Sequence, residues 1–262
     1  TLCRANGFIT TESDRHSLTP LSHEYLVKDS PWNLRPYYTQ IQDTPIALNF
    51  LKVLQTGKQA HWDSDREGND WHTSMQEEEF ARDFTELMNC RGIAFGQKLA
   101  QALTPQLGNR SRLLDVGGGS GIYASTIVAA HPQLTAQVLE MTPVDIIARQ
   151  ELAKHGLQEK IDVITGDMFD VDWPDCDILL LSNVLHDWDF QEVRTLLEKS
   201  AQALQTGGLL VIHEAFLNDE KTGPLPVAEY SALLMNVTQG KCYTSAEYGT
   251  ILTESGFEVG EY

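Results

Sequence analysis

Basic residues are scarce in this chain: 19 Lys and Arg stand against 37 Asp and Glu over 262 residues, a formal net charge of −18. A nucleic-acid groove needs clustered cations to neutralise phosphates, so the charge argues strongly against that partner class. An anionic membrane surface is excluded for the same reason. Apolar runs are short. The longest candidate, DILLLSNVL at 177–185, has strand length and is interrupted by Ser182 and Asn183; a membrane span needs roughly 18 apolar residues. Cysteine is sparse too: Cys3, Cys90, Cys176 and Cys242 lie far apart with no C-x-x-C pair. They read as reduced thiols of a cytoplasmic protein, not as a disulfide framework or a zinc site. No signal peptide opens the chain. Residue 1 is a threonine and the first ten residues read like a helix running into a strand, so the natural start is expected to lie upstream.

What is present is an ordinary globular composition, 42% apolar and 21% charged, with enough length to bury a sizeable core. Two zones differ in texture. Residues 1–110 are polar and irregular, with helical stretches near 44–56 and 77–104 and a loop-like segment, HWDSDREGNDWHTSM, at 61–75. From 111 onward, strand patterns at 112–116, 135–140, 161–166, 177–182, 208–216 and from 257 alternate with helical patterns at 120–130, 143–155, 189–205, 227–238 and 245–255. That alternation predicts an α/β fold with a parallel sheet covered by helices on both faces. Thr244 and Glu247 have the spacing of a capping box at the start of the last helix, and Gly256 follows its end.

The sharpest motif is LLDVGGGSG at 113–121, a strand that runs into glycines and then a helix. Gly117, Gly119 and Gly121 let the backbone turn tightly and approach a ligand, and the new helix points its free N–H groups there. About twenty residues on, the second strand ends in Glu140, a carboxylate suited to the hydroxyls of an adenosine ribose. The spacing is not that of a dinucleotide loop, because the sixth position counted from Gly117 is Ile122. It reads D-x-G-x-G-x-G, and the extra carboxylate of Asp115 suits the α-amino group of a methionine moiety. The cofactor implied is S-adenosylmethionine (SAM), with S-adenosylhomocysteine (SAH) as product. GDMF at 166–169 ends the third strand, where Asp167 suits the adenine amino group while Met168 and Phe169 flank the ring.

The fourth strand runs into SNVLHDWDF at 182–190. His186 follows a buried strand at the same edge of the sheet, where an imidazole can take a proton from a substrate hydroxyl as that oxygen attacks a methyl group.

In this order, LLDVGGGSG, GDMF, NVLHDWD, GGLLVIHEAFL at 207–217 and NVTQGKCYTSAEYGTILTESGFE at 236–258 resemble the metal-independent small-molecule O-methyltransferases, which include plant caffeic acid and flavonoid enzymes, acetylserotonin O-methyltransferase and bacterial polyketide and antibiotic enzymes. The resemblance implies a Rossmann-like class I methyltransferase sheet over 77–262 and, over 1–76, the remnant of a winged-helix dimerisation domain, with GFI at 7–9 and HSLTPLSHEYL at 16–26 as wing and following helix. It implies a homodimer acting on a small, aromatic hydroxylated acceptor. By the same resemblance, His186 is the catalytic base and Glu214 or Asp187 positions it. Asp115, Gly117, Gly119, Gly121, Glu140, Met141, Asp167, Met168 and Trp188 hold the cofactor. Phe84, Met88 and Cys242 line the acceptor pocket, although the spacing of four between Phe84 and Met88 also fits a plain helix core.

Two positions depart from the family pattern. Cys242 stands where a second glutamate is usual, and Ser182 stands four before the histidine in place of a basic residue. Cys242 keeps C- or N-methylation and SAM-dependent decarboxylation open as alternatives. Beyond them stand a nicotinamide dehydrogenase, which the glycine spacing opposes, and a winged-helix regulator, which the net charge opposes.

Overall fold

The computed structural model describes residues 1–58 and 71–260, so most of the loop read at 61–75 lies outside the described residues. In chain order the elements are α1 (Leu2–Ala5), β1 (Ile9–Glu12), β2 (Arg15–Leu18), α2 (Pro20–Tyr25), α3 (Arg35–Thr39), α4 (Pro45–Thr56), α5 (Trp71–Ser74), α6 (Glu78–Leu103), β3 (Arg112–Val116), α7 (Ile122–Ala130), β4 (Thr135–Glu140), α8 (Val144–Lys154), β5 (Ile161–Thr165), β6 (Cys176–Ser182), α9 (Phe190–Ala203), β7 (Leu204–His213), α10 (Leu225–Val237) and α11 (Ser245–Glu254). The chain divides into two compact units, His72–Glu214 with Ile251–Tyr262, and Thr1–Trp71 with Ala215–Thr250.

The first of these holds a five-stranded sheet of order β5-β4-β3-β6-β7, parallel throughout. β6 is buried along nearly its whole length, which is why it reads as an unbroken apolar run rather than an alternating one. Both neighbours of β3 pair with it in register. Val116 lies beside Leu139 of β4 and beside Leu181 of β6, and Ser182 lies beside His213. The carboxyl ends of all these strands therefore meet at one edge, and the reversal of strand order between β3 and β6 opens a crevice there. At the opposite edge Asp177 Oδ2 accepts the backbone N–H groups of Ser111 and Arg112, and its Oδ1 takes the Arg112 guanidinium at 3.1 Å. These bonds hold the start of β3 beside β6.

The core against this sheet is built from Leu113, Ile127, Leu134, Val138, Leu152, Ile178 and Leu180. α6 lies on α7 through small buried residues, Gly92, Gly96 and Ala100, while Ala81 nearer its start packs on Val144 and Ile147 of α8. A Cβ at Gly92 would come 2.6 Å from Ile122 Cγ2, and one at Gly96 would come 2.8 Å from Thr126 Oγ1. The helices approach closely because those side chains are missing.

Residues 257–260 form no strand, contrary to the expectation for a last strand there. Gly256, at φ 87°, ends α11, and the Phe257 N–H bonds back to the Leu252 carbonyl at 2.9 Å. The segment thus closes the helix in the manner of a Schellman end, and Val259 stays exposed.

The other unit carries a β1–β2 antiparallel hairpin whose tight turn places Ser13 and Asp14 at φ 47° and 63°, followed by α2 with Thr19 as its cap. Leu217, Ala228, Leu234 and Cys242 form its small core, with Leu2 and Ala5 of α1 packed on them. The segment 215–250, which the sequence reading joins to the sheet, packs with the amino-terminal residues. The capping box forms as expected: the Thr244 N–H donates to Glu247 Oε2 at 2.9 Å and the Glu247 N–H to Thr244 Oγ1 at 3.1 Å.

The α6–α7 contact yields a test. Gly92→Leu forces a side chain into Ile122 and should cost about 1–3 kcal/mol. The melting temperature should fall by several degrees, measured by circular dichroism. An unchanged melt would show that the two helices separate without penalty.

Candidate active site

The glycine loop leaves β3 at Val116. Gly117, Gly119 and Gly121 have φ of 64°, 60° and 76°, the left-handed region that side chains avoid. Space is limiting at two of them. A Cβ on Gly117 would lie 2.9 Å from Val184 Cγ2 and one on Gly121 3.2 Å from Val138 Cγ2, whereas one on Gly119 would meet nothing within 4 Å. Gly119 thus faces open space. Gly118, which the sequence reading passed over, packs on Asp115: its Cβ would stand 2.7 Å from that carboxyl carbon.

Asp115 is fully buried beneath this loop, and neither oxygen makes a hydrogen bond of normal geometry. Burial pushes its carboxyl up to about 7, with the Ala124 N–H acting the other way. Glu140, at the end of β4, accepts the Gly119 N–H on Oε1 at 2.8 Å and the Met141 N–H on Oε2 at 3.1 Å. Burial lifts it to about 7 as well, against those two donors. Met141 is partly exposed beside it. Asp167 Oδ1 accepts the Phe169 N–H at 2.8 Å, shaping the turn after β5, and the Met168 carbonyl accepts from Trp173 Nε1 at 3.0 Å. The rings of Phe169 and Trp188 meet edge to face, 4.6 Å apart.

After β6 the chain turns at once through a single 3-10 turn, Leu185–Asp187, which carries His186 into the crevice at 4% exposure. Its Nδ1 lies 2.5 Å from Glu214 Oε2. The other carboxylate oxygen accepts the backbone N–H groups of Leu185 at 3.0 Å and His186 at 3.4 Å. Glu214 thus fixes both the ring and the turn that bears it. Asp187 Oδ1 stands 3.6 Å from Nε2, so the second ring nitrogen also has a carboxylate beside it. Burial disfavours the imidazolium, yet the charge and hydrogen bond of Glu214 outweigh it and raise the His186 pKa. Burial raises Asp187 to about 6, with His186 opposing.

Two further contacts carry no signature in the sequence. Ser120 Oγ donates to Asn89 Oδ1 at 2.5 Å, tying α6 to the glycine loop. Ser182 Oγ lies 2.9 Å from His213 Nδ1, and burial lowers the His213 pKa. Ser182 thus partners a second imidazole where the resemblance implied a basic side chain. Phe84 and Met88 are half-buried on α6. Cys242 is buried in the other unit, its N–H bonded to Ser231 Oγ at 3.2 Å.

A parallel sheet of this order, a glycine loop after its central strand and an acid ending the next define a Rossmann-like class I methyltransferase fold. Comparison with known proteins agrees. The model of the O-methyltransferase domain family matches residues 51–258. The chain is 28% identical over 261 residues to 3-hydroxy-5-methyl-1-naphthoate 3-O-methyltransferase of Streptomyces sahachiroi, covering 98% of this chain and 73% of that protein. It is 27% identical to L-tyrosine C(3)-methyltransferase of Streptomyces lavendulae, over 97% of this chain and 70% of that one. The solved structure of an O-methyltransferase family 2 protein from Planctomyces limnophilus, in complex with apigenin, superposes with a TM-score of 0.86 at 30% identity, covering all of this chain and 75% of that one. The chain belongs to the O-methyltransferase domain family, a class of SAM-dependent methyltransferases.

Asp115 provides a test that needs no substrate. A buried carboxyl raised from 3.8 to about 7 costs nothing below pH 4. Its penalty grows from there as the pH rises, and is complete above 7 at about 2–4 kcal/mol. Asp115→Asn should therefore gain several degrees of melting temperature over the wild type at pH 8, and much less at pH 5. An equal difference at both values would show that Asp115 is not ionising under strain.

Proposed function

We propose that this chain transfers a methyl group from SAM to a hydroxyl of a small aromatic acceptor, with His186 as general base and Glu214 as the residue that orients it. The observation that carries this reading is the 2.5 Å contact between His186 Nδ1 and Glu214 Oε2, at the end of β6 and beside the glycine loop. Once Nδ1 is committed to Glu214, Nε2 is the nitrogen that meets the acceptor hydroxyl. Asp187, 3.6 Å from Nε2, then stabilises the imidazolium as the proton arrives.

The residues at the crevice suit SAM. The charge of Asp115, buried beneath the loop, suits its amino group, the open side of Gly119 leaves room for the methionine chain, and Glu140 suits the ribose. Met141, Asp167, Met168 and Trp188 then flank the adenine. Bound SAM supplies a methyl already made electrophilic by the sulfonium. The protein's own work is to align the oxygen and remove its proton. Phe84 and Met88 on α6 offer the aromatic acceptor an apolar wall. No metal takes part, so turnover should survive EDTA.

For assembly, we read residues 1–76 as part of a winged-helix dimerisation domain and the protein as a cytoplasmic homodimer. The support is the hairpin followed by α2, together with an apolar face left open on α4, where Ile46, Leu51 and Leu54 are 78%, 49% and 57% exposed. That much exposed apolar side chain on one helix marks an association surface. No helix among the described residues is long and apolar enough to cross a membrane. A second reading, C-methylation of a phenolic ring, is favoured by the tyrosine C(3)-methyltransferase relative. It uses the same base on the same phenol, and loss of a ring proton signal in the product would distinguish it.

His186→Ala should lose about 10²–10⁴-fold in kcat while keeping its affinity for SAH; near-native turnover would remove the base from the mechanism. The base acts when unprotonated, so kcat/KM should fall as the pH drops through a value above the ordinary 6.5 of histidine. In Glu214→Gln the carboxylate that raises His186 is gone, and this acidic limb should move to lower pH. Glu140→Ala should weaken SAH binding by roughly 1–3 kcal/mol by calorimetry, and unchanged affinity would contradict the ribose assignment.

A further inference from the structure

α6 turns one narrow stripe toward the carboxyl edge of the sheet. Phe84, Met88, Arg91 and Phe95 follow at spacings of four, three and four, which bring them onto one helix face. Three of the four are apolar, so the guanidinium is the exception. Contacts within the same compact unit locate the stripe. The Phe95 ring lies 6.4 Å from the His213 ring, and Asn89, next to Met88, is bonded to Ser120 of the glycine loop. Between these two anchors Arg91 is half-buried, and its charge reaches His186, Asp187 and His213.

Among the described residues no carboxylate stands within ion-pair distance of Arg91, although its charge helps to keep Asp187 ionised. Its Nη2 rests 3.1 Å from Met88 Sδ, a weak acceptor. None of the ion pairs among the described residues involves it. An arginine kept for internal charge balance would sit against Asp187 or Glu214, yet both of those carboxylates are paired with His186. With 37 acids to 19 bases in the chain, a half-buried cation that touches no carboxylate among the described residues needs a reason.

We propose that Arg91 is a specificity-determining residue that receives a carboxylate carried by the acceptor, while the acceptor hydroxyl lies at His186. This rests on the reading of His186 as base toward a hydroxylated aromatic acceptor. The planar guanidinium matches a carboxylate through two parallel N–H bonds, and Phe84 and Met88 on the same stripe flank an aromatic ring. The acceptor class is then a hydroxylated aromatic acid, held at two points: its anion on α6 and its hydroxyl at the end of β6.

The test uses the intact protein with hydroxynaphthoic acids and their methyl esters as paired acceptors, in wild type, Arg91→Gln and Arg91→Lys. The wild type should prefer acid over ester in kcat/KM, mainly through KM. Arg91→Gln should lower kcat/KM for the acid at least about tenfold more than for the ester, and Arg91→Lys should recover part of the preference. The ratio within each variant cancels any general loss of folded protein. A wild type indifferent to the carboxylate, a preference that survives in Arg91→Gln, or equal losses on acid and ester would overturn the assignment. Methylation of esters alone overturns only the carboxylate site. A wild type that binds SAH and methylates neither set overturns the aromatic-hydroxyl reading, and this inference with it.

Discussion

Everything functional in this chain depends on β3 lying between β4 and β6. Parallel pairing on both sides puts Val116, Leu139 and Leu181 at one level, so the segments that follow emerge together. The glycine loop, Glu140 and the turn bearing His186 share a crevice because their strands share a register, not because they are near in sequence. A one-residue slip of β6 would turn its side chains to the opposite face of the sheet. Asp177, bound to Ser111 and Arg112 at the far edge, opposes such a slip.

The same placement accounts for the unusual acids. Asp115, Glu140 and Asp187 stand where strand ends meet helix starts, and burial raises all three. In a chain this acidic, three carboxyls held near neutral proton affinity cannot be incidental to stability, since each is a place where folding alone is unfavourable. Carboxyls perturbed together in this way are concentrated at ligand and catalytic sites.

Much of this was legible beforehand. The α/β alternation, the parallel sheet, the glycine loop and the capping box at Thr244 are local signals: a period, a turn residue or a pair at fixed spacing. The strand expected from 257 was not formed, because an apolar fragment needs a neighbour to pair with and a pattern does not reveal whether one exists. The approach of α6 to α7 was missed for a related reason, since Gly92 and Gly96 read as weak points of a helix until Ile122 and Thr126 are seen opposite them. The tie from Asn89 to Ser120 joins residues 31 positions apart and left no trace in the sequence. His186 could be named from a strand end, and Glu214 or Asp187 from the resemblance, but not which ring nitrogen each acid stands beside. That depends on the tightness of one turn.

The bond from Gly119 to Glu140 has a kinetic and entropic side. A glutamate in solution samples many rotamers, and fixing one on binding costs about 0.5–1.5 kcal/mol. Here both oxygens already accept backbone N–H groups, one from the loop and one from Met141, so that ordering is complete when the chain folds. Any ligand that reaches Glu140 therefore meets a rigid carboxylate, and the loop meets a fixed post. Anything that swings Glu140 aside also leaves the Gly119 N–H without this acceptor, so the position of the carboxylate and the shape of the loop are coupled.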